Sequence, residues 1–193
     1  MRVDNQIMIS PKYSKDNYLS LRLNRINEDD FKKALEIFTD RINGWFFDQI
    51  KLMLNDAEKN GFAIIALDCI LIETFWHFRN GNKQNNKESI FCEFLSKTSP
   101  NVFNEEDAKD FYKCIRCALL HSGQTDKEFV LSTKGRCVDR KNGIVFINVI
   151  EISQLLFEYF EKYIVELNNQ ENTILRRNFI NRMDETIETI KYC

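Results

Sequence analysis

The sequence predicts a mainly α-helical protein, a helical bundle with a small β-hairpin or three-stranded sheet inserted at residues 127–148. Apolar residues recur at helical spacing over most of the chain, and capping residues mark where several of these segments begin. Only residues 127–148 have β-type runs, separated by a strong Asn142-Gly143 turn signal. A length of 193 residues with 44% hydrophobic content predicts a single domain, 1–193.

The N-terminal third of the chain combines an arm with helices. Residues 1–27 are predicted to be an extended N-terminal arm with a short strand, because their leucines alternate at period two. Asn27 and the acidic residues after it begin a long helical region, in which Gly44 is a candidate break. Gly61–Asn80 is the most hydrophobic predicted helix, and a polar loop and a short helix, Ser89–Lys97, follow it.

The segment Glu105–Gly123 is predicted to be a helix that carries Arg116 and His121 near its C-terminal end. Asn104 caps it and Gly123 ends it. Histidine exchanges protons near neutral pH and arginine binds phosphate oxygens, so the pair suits metal-independent cleavage of RNA. On a straight helix the two side chains diverge by about 140°. They converge only if the helix unwinds near Leu120 or if a second copy of the chain completes the site.

The hexapeptide Arg116-Cys117-Ala118-Leu119-Leu120-His121 resembles the Arg-x4-6-His motif of the HEPN superfamily. The surrounding sequence FYKCIRCALLHSGQT and the earlier ALDCILIETFWHF are similar to bacterial HEPN-like proteins. The resemblance implies a helical bundle that dimerises to bring two motifs into one cleft. It also implies a metal-independent endoribonuclease of toxin–antitoxin, anti-phage or CRISPR-linked systems, in which Arg116 binds the scissile phosphate and His121 is the acid or base. Many active members have a polar residue where this chain has Cys117, a weak hydrogen-bonding group.

Supporting residues are predicted around this pair. Glu73 lies one helical turn before His77 and can orient it or reach Arg116. The segment after the motif helix carries basic residues that are candidate RNA phosphate contacts, although they also suit a charged, solvated hairpin edge. These basic residues are Lys127, Lys134, Arg136, Arg140 and Lys141.

Two helices are predicted to complete the chain, with apolar stripes over Ile152–Leu167 and Leu175–Ile190. Arg176, Arg177 and Arg182 of the second helix are expected to face water. The near balance of 27 basic and 29 acidic residues predicts that RNA contacts come from a local patch. The apolar run Phe62–Ile72 is too short to cross a bilayer, and six cysteines with no signal peptide indicate a reducing cytoplasm.

Alternatives to a ribonuclease remain open at the sequence level. The motif is also compatible with a non-catalytic HEPN-like module that binds RNA or protein, with a possible antitoxin among its partners. Arg116 and His121 can instead be structural, bonding to helix carbonyls and to Glu73. Cys114, Cys117 and His121 share one face of a regular helix, so zinc is a further possibility if Cys137 or His77 joins them. The preferred interpretation requires no cofactor.

Overall fold

A computed structural model describes residues 2–3, 6–23, 27–81, 83–126 and 128–189. The chain is mainly helical with a small three-stranded mixed sheet, as the sequence predicts. Lys127, Ile190 and Cys193, which figure in the sequence predictions, lie outside the described residues.

The helices are α1 Lys15–Leu19, α2 Glu28–Ile42, α3 Asp48–Leu54, α4 Ala57–Asn80, α5 Lys87–Thr98, α6 Glu105–Asp110, α7 Ala118–Ser122, α8 Val149–Asn168 and α9 Thr173–Glu188. The strands are β1 Arg2–Val3, β2 Gln6–Ile7, β3 Phe129–Ser132, β4 Val138–Lys141 and β5 Ile144–Asn148.

The chain divides into two compact units. The first unit consists of Met1–Gln49, Phe78–Asn82 and Tyr163–Cys193. The second unit consists of Ile50–His77 and Lys83–Lys162, and it contains the whole predicted site.

The N-terminal arm of the first unit is only partly extended. β1 and β2 form a short antiparallel pair, but Lys15–Leu19 are helical where the sequence predicted extended chain. A reciprocal capping box causes this: Ser14 Oγ accepts from the Asn17 backbone N–H at 3.4 Å, and Asn17 Oδ1 accepts from the Ser14 N–H at 2.8 Å. These local bonds outweigh the weak period-two pattern of the leucines.

The predicted break at Gly44 is a widened helical turn. Asn43–Phe47 is π-helical and joins α2 to α3 without interrupting the backbone. Pro11 of the arm packs so closely that a Cβ at Gly44 would lie 2.3 Å from Pro11 Cγ. The extra residue in this turn places Phe47 in the core and leaves Trp45 half-buried.

Arg176 is buried in the first unit, so the prediction that it faces water is wrong. Its Nη2 donates to Glu28 Oε1 at 2.6 Å, and its guanidinium lies 3.8 Å from the centre of the Phe31 ring. Arg176 shares the buried face of α9 with Phe179 and Met183, where the ion pair and the aromatic ring replace water. Arg177 is exposed as predicted.

The sheet of the second unit has the order β3-β5-β4. The central strand β5 is parallel to β3 and antiparallel to β4. Asn142 and Gly143 connect β4 to β5 with φ values of 53° and 80°, the left-handed conformations that a tight hairpin turn requires. The insertion predicted at residues 127–148 is therefore confirmed over its described residues.

α4 supplies much of the core of the second unit, including the fully buried Ile64, Ile65 and Phe75. At 24 residues it is longer than the apolar run considered from sequence, and its length and composition would allow it to cross a membrane. However, 56% of its most apolar window is buried inside the protein, and core helices pass the same test.

Candidate active site

The helix that carries Arg116 and His121 is continuous from Glu105 to Ser122. Asn104 Oδ1 accepts from the Asp107 N–H at 2.8 Å and caps α6, as the sequence predicts. A π-helical segment, Phe111–Cys117, then joins α6 to α7, and Gly123 ends the helix with a left-handed φ of 67°. The helix does not unwind near Leu120. Within one copy of the chain the two side chains therefore leave the helix in different directions.

Arg116 is held by Glu73 of α4. Arg116 Nε donates to Glu73 Oε1 at 2.9 Å, and Arg116 Nη2 reaches the same oxygen at 2.7 Å. The side chains of Arg116 and Glu73 are only 12% and 22% exposed, so the pair is partly shielded from solvent. Burial tends to lower the pKa of Arg116, but the bond to Glu73 holds that pKa above its ordinary value. The sequence left Glu73 with two possible partners, and its contact with Arg116 is present. This geometry leaves Nη1 of the guanidinium for another acceptor.

Tyr112, Cys117 and Cys69 surround this ion pair. The Tyr112 ring centre lies 5.8 Å from the Arg116 guanidinium. Partial burial and a hydrogen bond to the Cys117 thiol raise the pKa of Tyr112. Burial raises the pKa of Cys69 well above its ordinary value, which keeps this thiol neutral. The sequence analysis missed Tyr112, although its position four residues before Arg116 places it on the same side of an ordinary helix.

His121 has different surroundings from Arg116. It is exposed at the end of α7, and it makes no hydrogen bond or ion pair within the part of the chain that the structure describes. Its neighbour Leu120 is 61% exposed. His121 therefore has no visible structural role and is free to meet a ligand or a second protein copy. The other histidine, His77, lies with its ring edge-on to Trp76, at a centroid distance of 5.2 Å.

The predicted basic residues fall into two classes. Arg140 forms an ion pair with Asp107, and Lys141 forms one with Asp139 at 2.8 Å. Lys134 and Arg136 are exposed on the loop between β3 and β4, and neither side chain has an ion pair among the described residues. Lys134 and Arg136 are consequently the more available for phosphate groups.

Zinc binding receives no support from the geometry. Over the described ranges, no three His, Cys, Asp or Glu side chains come together in a way that could hold a metal ion. Cys114 and Cys117 lie in the π-helical segment, whose wider turn removes the regular spacing on which the zinc alternative depended.

Comparisons with protein-family models, with curated proteins and with solved structures found no match. The resemblance to the HEPN superfamily thus rests on the motif and its neighbouring sequence.

The chemistry available at this end of the second unit follows from the two side chains. Arg116 can stabilise negative charge on an oxyanion from a fixed position, because Glu73 restrains its rotation. His121 can accept or donate a proton from an exposed position. Their divergence means that the two groups act on one substrate only if another copy of the chain contributes.

Proposed function

We propose that the protein is a metal-independent endoribonuclease of the HEPN type that acts as a homodimer. The observation that carries this proposal is the contrast between Arg116 and His121. Arg116 is fixed in place by Glu73, whereas His121 is exposed at the end of the same helix with no partner among the described residues. A structural histidine is normally satisfied by hydrogen bonds, while a histidine that transfers protons must reach its substrate.

A second copy of the chain supplies the convergence that one copy lacks. With two helices facing each other, Arg116 of one copy can lie beside His121 of the other. The exposed apolar side chains of Leu120, at 61%, and Ile70 of α4, at 47%, support such a contact because burying them is favourable. A two-fold dimer also brings two His121 side chains to the cleft, so one can be the base and the other the acid.

The reaction uses the 2′-hydroxyl of the RNA itself. His121 of one copy accepts the 2′-hydroxyl proton while the 2′-oxygen attacks the adjacent phosphorus. Arg116 stabilises the additional negative charge on the phosphoryl oxygens. The bond from phosphorus to the 5′-oxygen breaks, and that oxygen takes a proton from His121 of the second copy. The products are a 2′,3′-cyclic phosphate and a 5′-hydroxyl, and DNA is not cleaved because it lacks the attacking group.

A non-catalytic role in binding RNA or protein is the second candidate. The observation that favours it is the ion pair itself, because Glu73 offsets the charge with which Arg116 would attract phosphate. Cys117, which follows Arg116, also adds only a weak hydrogen-bonding group. In this alternative His121 contributes to binding, and RNA remains intact.

The cellular setting proposed is a reducing cytoplasm. The thiols of Cys69, Cys92, Cys114, Cys117 and Cys137 are free, which suits that compartment. A ribonuclease of this kind would act as a toxin or as a phage-defence component. It would then require an antitoxin protein or an activation step to protect cellular RNA.

Dilution of the wild-type protein with an inactive copy tests the composite site. The double variant Arg116→Ala/His121→Ala is mixed with the wild type and subjected to subunit exchange. A heterodimer then carries one Arg116 and one His121, both on the same copy, so a site built from two copies is incomplete. Cleavage should fall with the square of the wild-type fraction, and a fall in simple proportion to that fraction, with exchange measured, contradicts the composite site.

A further inference from the structure

A cavity of ≈ 350 Å³ lies beside the first turns of α4 in the second unit. Its walls come from the start of α4, the end of β3 and the start of α8, and they include Glu58, Phe62 and Thr133. Its volume lies within the range of small-ligand pockets. We propose that this cavity binds a guanine base of the RNA strand that is cut at Arg116 and His121. This inference rests on the proposed ribonuclease function and adds the base that the enzyme selects.

The cavity lies along α4 from the candidate active site. Phe62 and Glu73 are eleven residues apart, which places them within about 20° on the helix and about 16 Å apart along its axis. Arg116 is held by Glu73 on this same helix. The cavity and Arg116 therefore lie along one side of α4, and one short strand of RNA can span both places.

The side chains of the cavity match a guanine base. Phe62 is 46% exposed although it is a large aromatic residue, and its ring can stack on a base. Glu58 is exposed and has no hydrogen bond or ion pair with any other described residue. An ionised carboxylate only accepts hydrogen bonds, and guanine is the base with two adjacent donors, N1–H and the 2-amino group, on its Watson–Crick edge. Thr133 adds a hydroxyl that can donate or accept.

The loop that follows Thr133 offers phosphate contacts next to the cavity. It carries Lys134 and Arg136, the two predicted basic residues that are not engaged in ion pairs within the described ranges. Its shape is fixed, because Asn148 Nδ2 donates to the Gly135 carbonyl at 2.9 Å and Ser132 Oγ donates to the Lys134 carbonyl at 2.9 Å. A loop that is already ordered loses less conformational entropy when it binds RNA.

Binding of short RNAs to the full-length His121→Ala protein, which leaves its substrate intact, tests the proposal. The probes are fluorescent octauridines that carry one central guanosine, inosine or adenosine. Inosine keeps N1–H but lacks the 2-amino group. We expect guanosine to bind about 5- to 150-fold more tightly than inosine or adenosine, the range of one bidentate base contact. Glu58→Gln should remove this preference, whereas Glu161→Gln, at an exposed position on α8, should keep it.

The loop is tested through the salt dependence of the same binding. Replacing Lys134 and Arg136 with alanine should lower the slope of log affinity against log salt by about 0.7 for each lost phosphate contact. Lys162→Ala, another exposed lysine of the second unit, is the matched control and should leave the slope unchanged.

The pattern of outcomes distinguishes failure of the guanine site from failure of the proposed function. Equal affinity for the three probes, or a preference that survives both Glu58→Gln and Phe62→Ala, overturns the guanine site. Absence of RNA binding at every salt concentration overturns both the site and the ribonuclease. A guanine preference that depends on Glu58, in a wild-type protein that cuts no RNA, supports the cavity and refutes the catalytic assignment alone.

Discussion

Replacement of Asp68 with asparagine is expected to stabilise the protein by an amount that grows with pH. Asp68 is fully buried in α4, and Ser153 Oγ donates to its Oδ2 at 2.9 Å. Its Oδ1 has no hydrogen-bond partner within the described part of the chain. Burial raises the pKa of Asp68 well above the ordinary value, and the bond from Ser153 offsets only part of this rise. The native state therefore keeps a proton that the unfolded state releases.

The size of the effect follows from this difference of one proton. The contribution of Asp68 is fully present below the unfolded-state pKa, about 3.9, and is lost as the pH rises toward the native-state pKa. Over that window the free energy of unfolding of the wild type should fall relative to Asp68→Asn by about 1.4 kcal/mol per pH unit. At pH 4 the two proteins should differ least. Asparagine keeps the acceptor for Ser153 and has no charge to desolvate.

Urea unfolding at a series of pH values between 4 and 8 measures this difference. Contributions from other titrating groups cancel when the two proteins are compared at the same pH. Asp139→Asn is the control, because Lys141 holds the pKa of this half-buried carboxylate below its ordinary value. The free-energy difference between wild type and Asp139→Asn should therefore not change with pH in the direction expected for Asp68→Asn. A difference between wild type and Asp68→Asn that stays constant or shrinks as the pH rises refutes the reasoning.

Three further substitutions separate structural from functional roles. Gly44→Ala should lower the melting temperature, because the new Cβ would lie 2.3 Å from Pro11 Cγ. Calorimetry should show that adding Pro11→Ala to Gly44→Ala restores part of the lost melting temperature. Glu73→Ala should cost roughly 1–3 kcal/mol in urea unfolding, because it leaves the mostly buried guanidinium of Arg116 without its partner. His121→Ala should change the free energy of unfolding by less than about 0.5 kcal/mol, because the side chain that it removes is exposed and has no partner among the described residues. A larger destabilisation would indicate a structural histidine.

The predictable features of this fold depend on residues close together in sequence. Asn104 and Gly123 bound the motif helix as predicted, because capping and left-handed C-terminal residues act over a few positions. The turn at Asn142-Gly143 was predictable for the same reason. The parallel pairing of β3 with β5 was not, because it depends on contacts made after the intervening chain has folded.

Tertiary packing accounts for the features that the sequence did not reveal. The two π-helical segments have no residue pattern that distinguishes them from α-helix, and the first, Asn43–Phe47, buries Phe47 while Trp45 stays half-buried. Arg176 is buried because Glu28 and Phe31 lie opposite it, 148 and 145 positions away in the chain. At the candidate site, the sequence left Glu73 with two possible partners, and only the packing of the motif helix on α4 brings it to Arg116.

Cleavage of RNA in EDTA tests the central claim most directly. Purified wild-type protein and the Arg116→Ala and His121→Ala variants are incubated with mixed RNA, and the product ends are identified by mass spectrometry. We expect the wild type alone to cut at a substantial rate, leaving 2′,3′-cyclic phosphates, with His121→Ala slower by about 100- to 10,000-fold, the usual contribution of a general acid or base. Folded wild-type protein that leaves RNA intact, or a His121→Ala variant that cuts as fast as the wild type, would contradict the assignment.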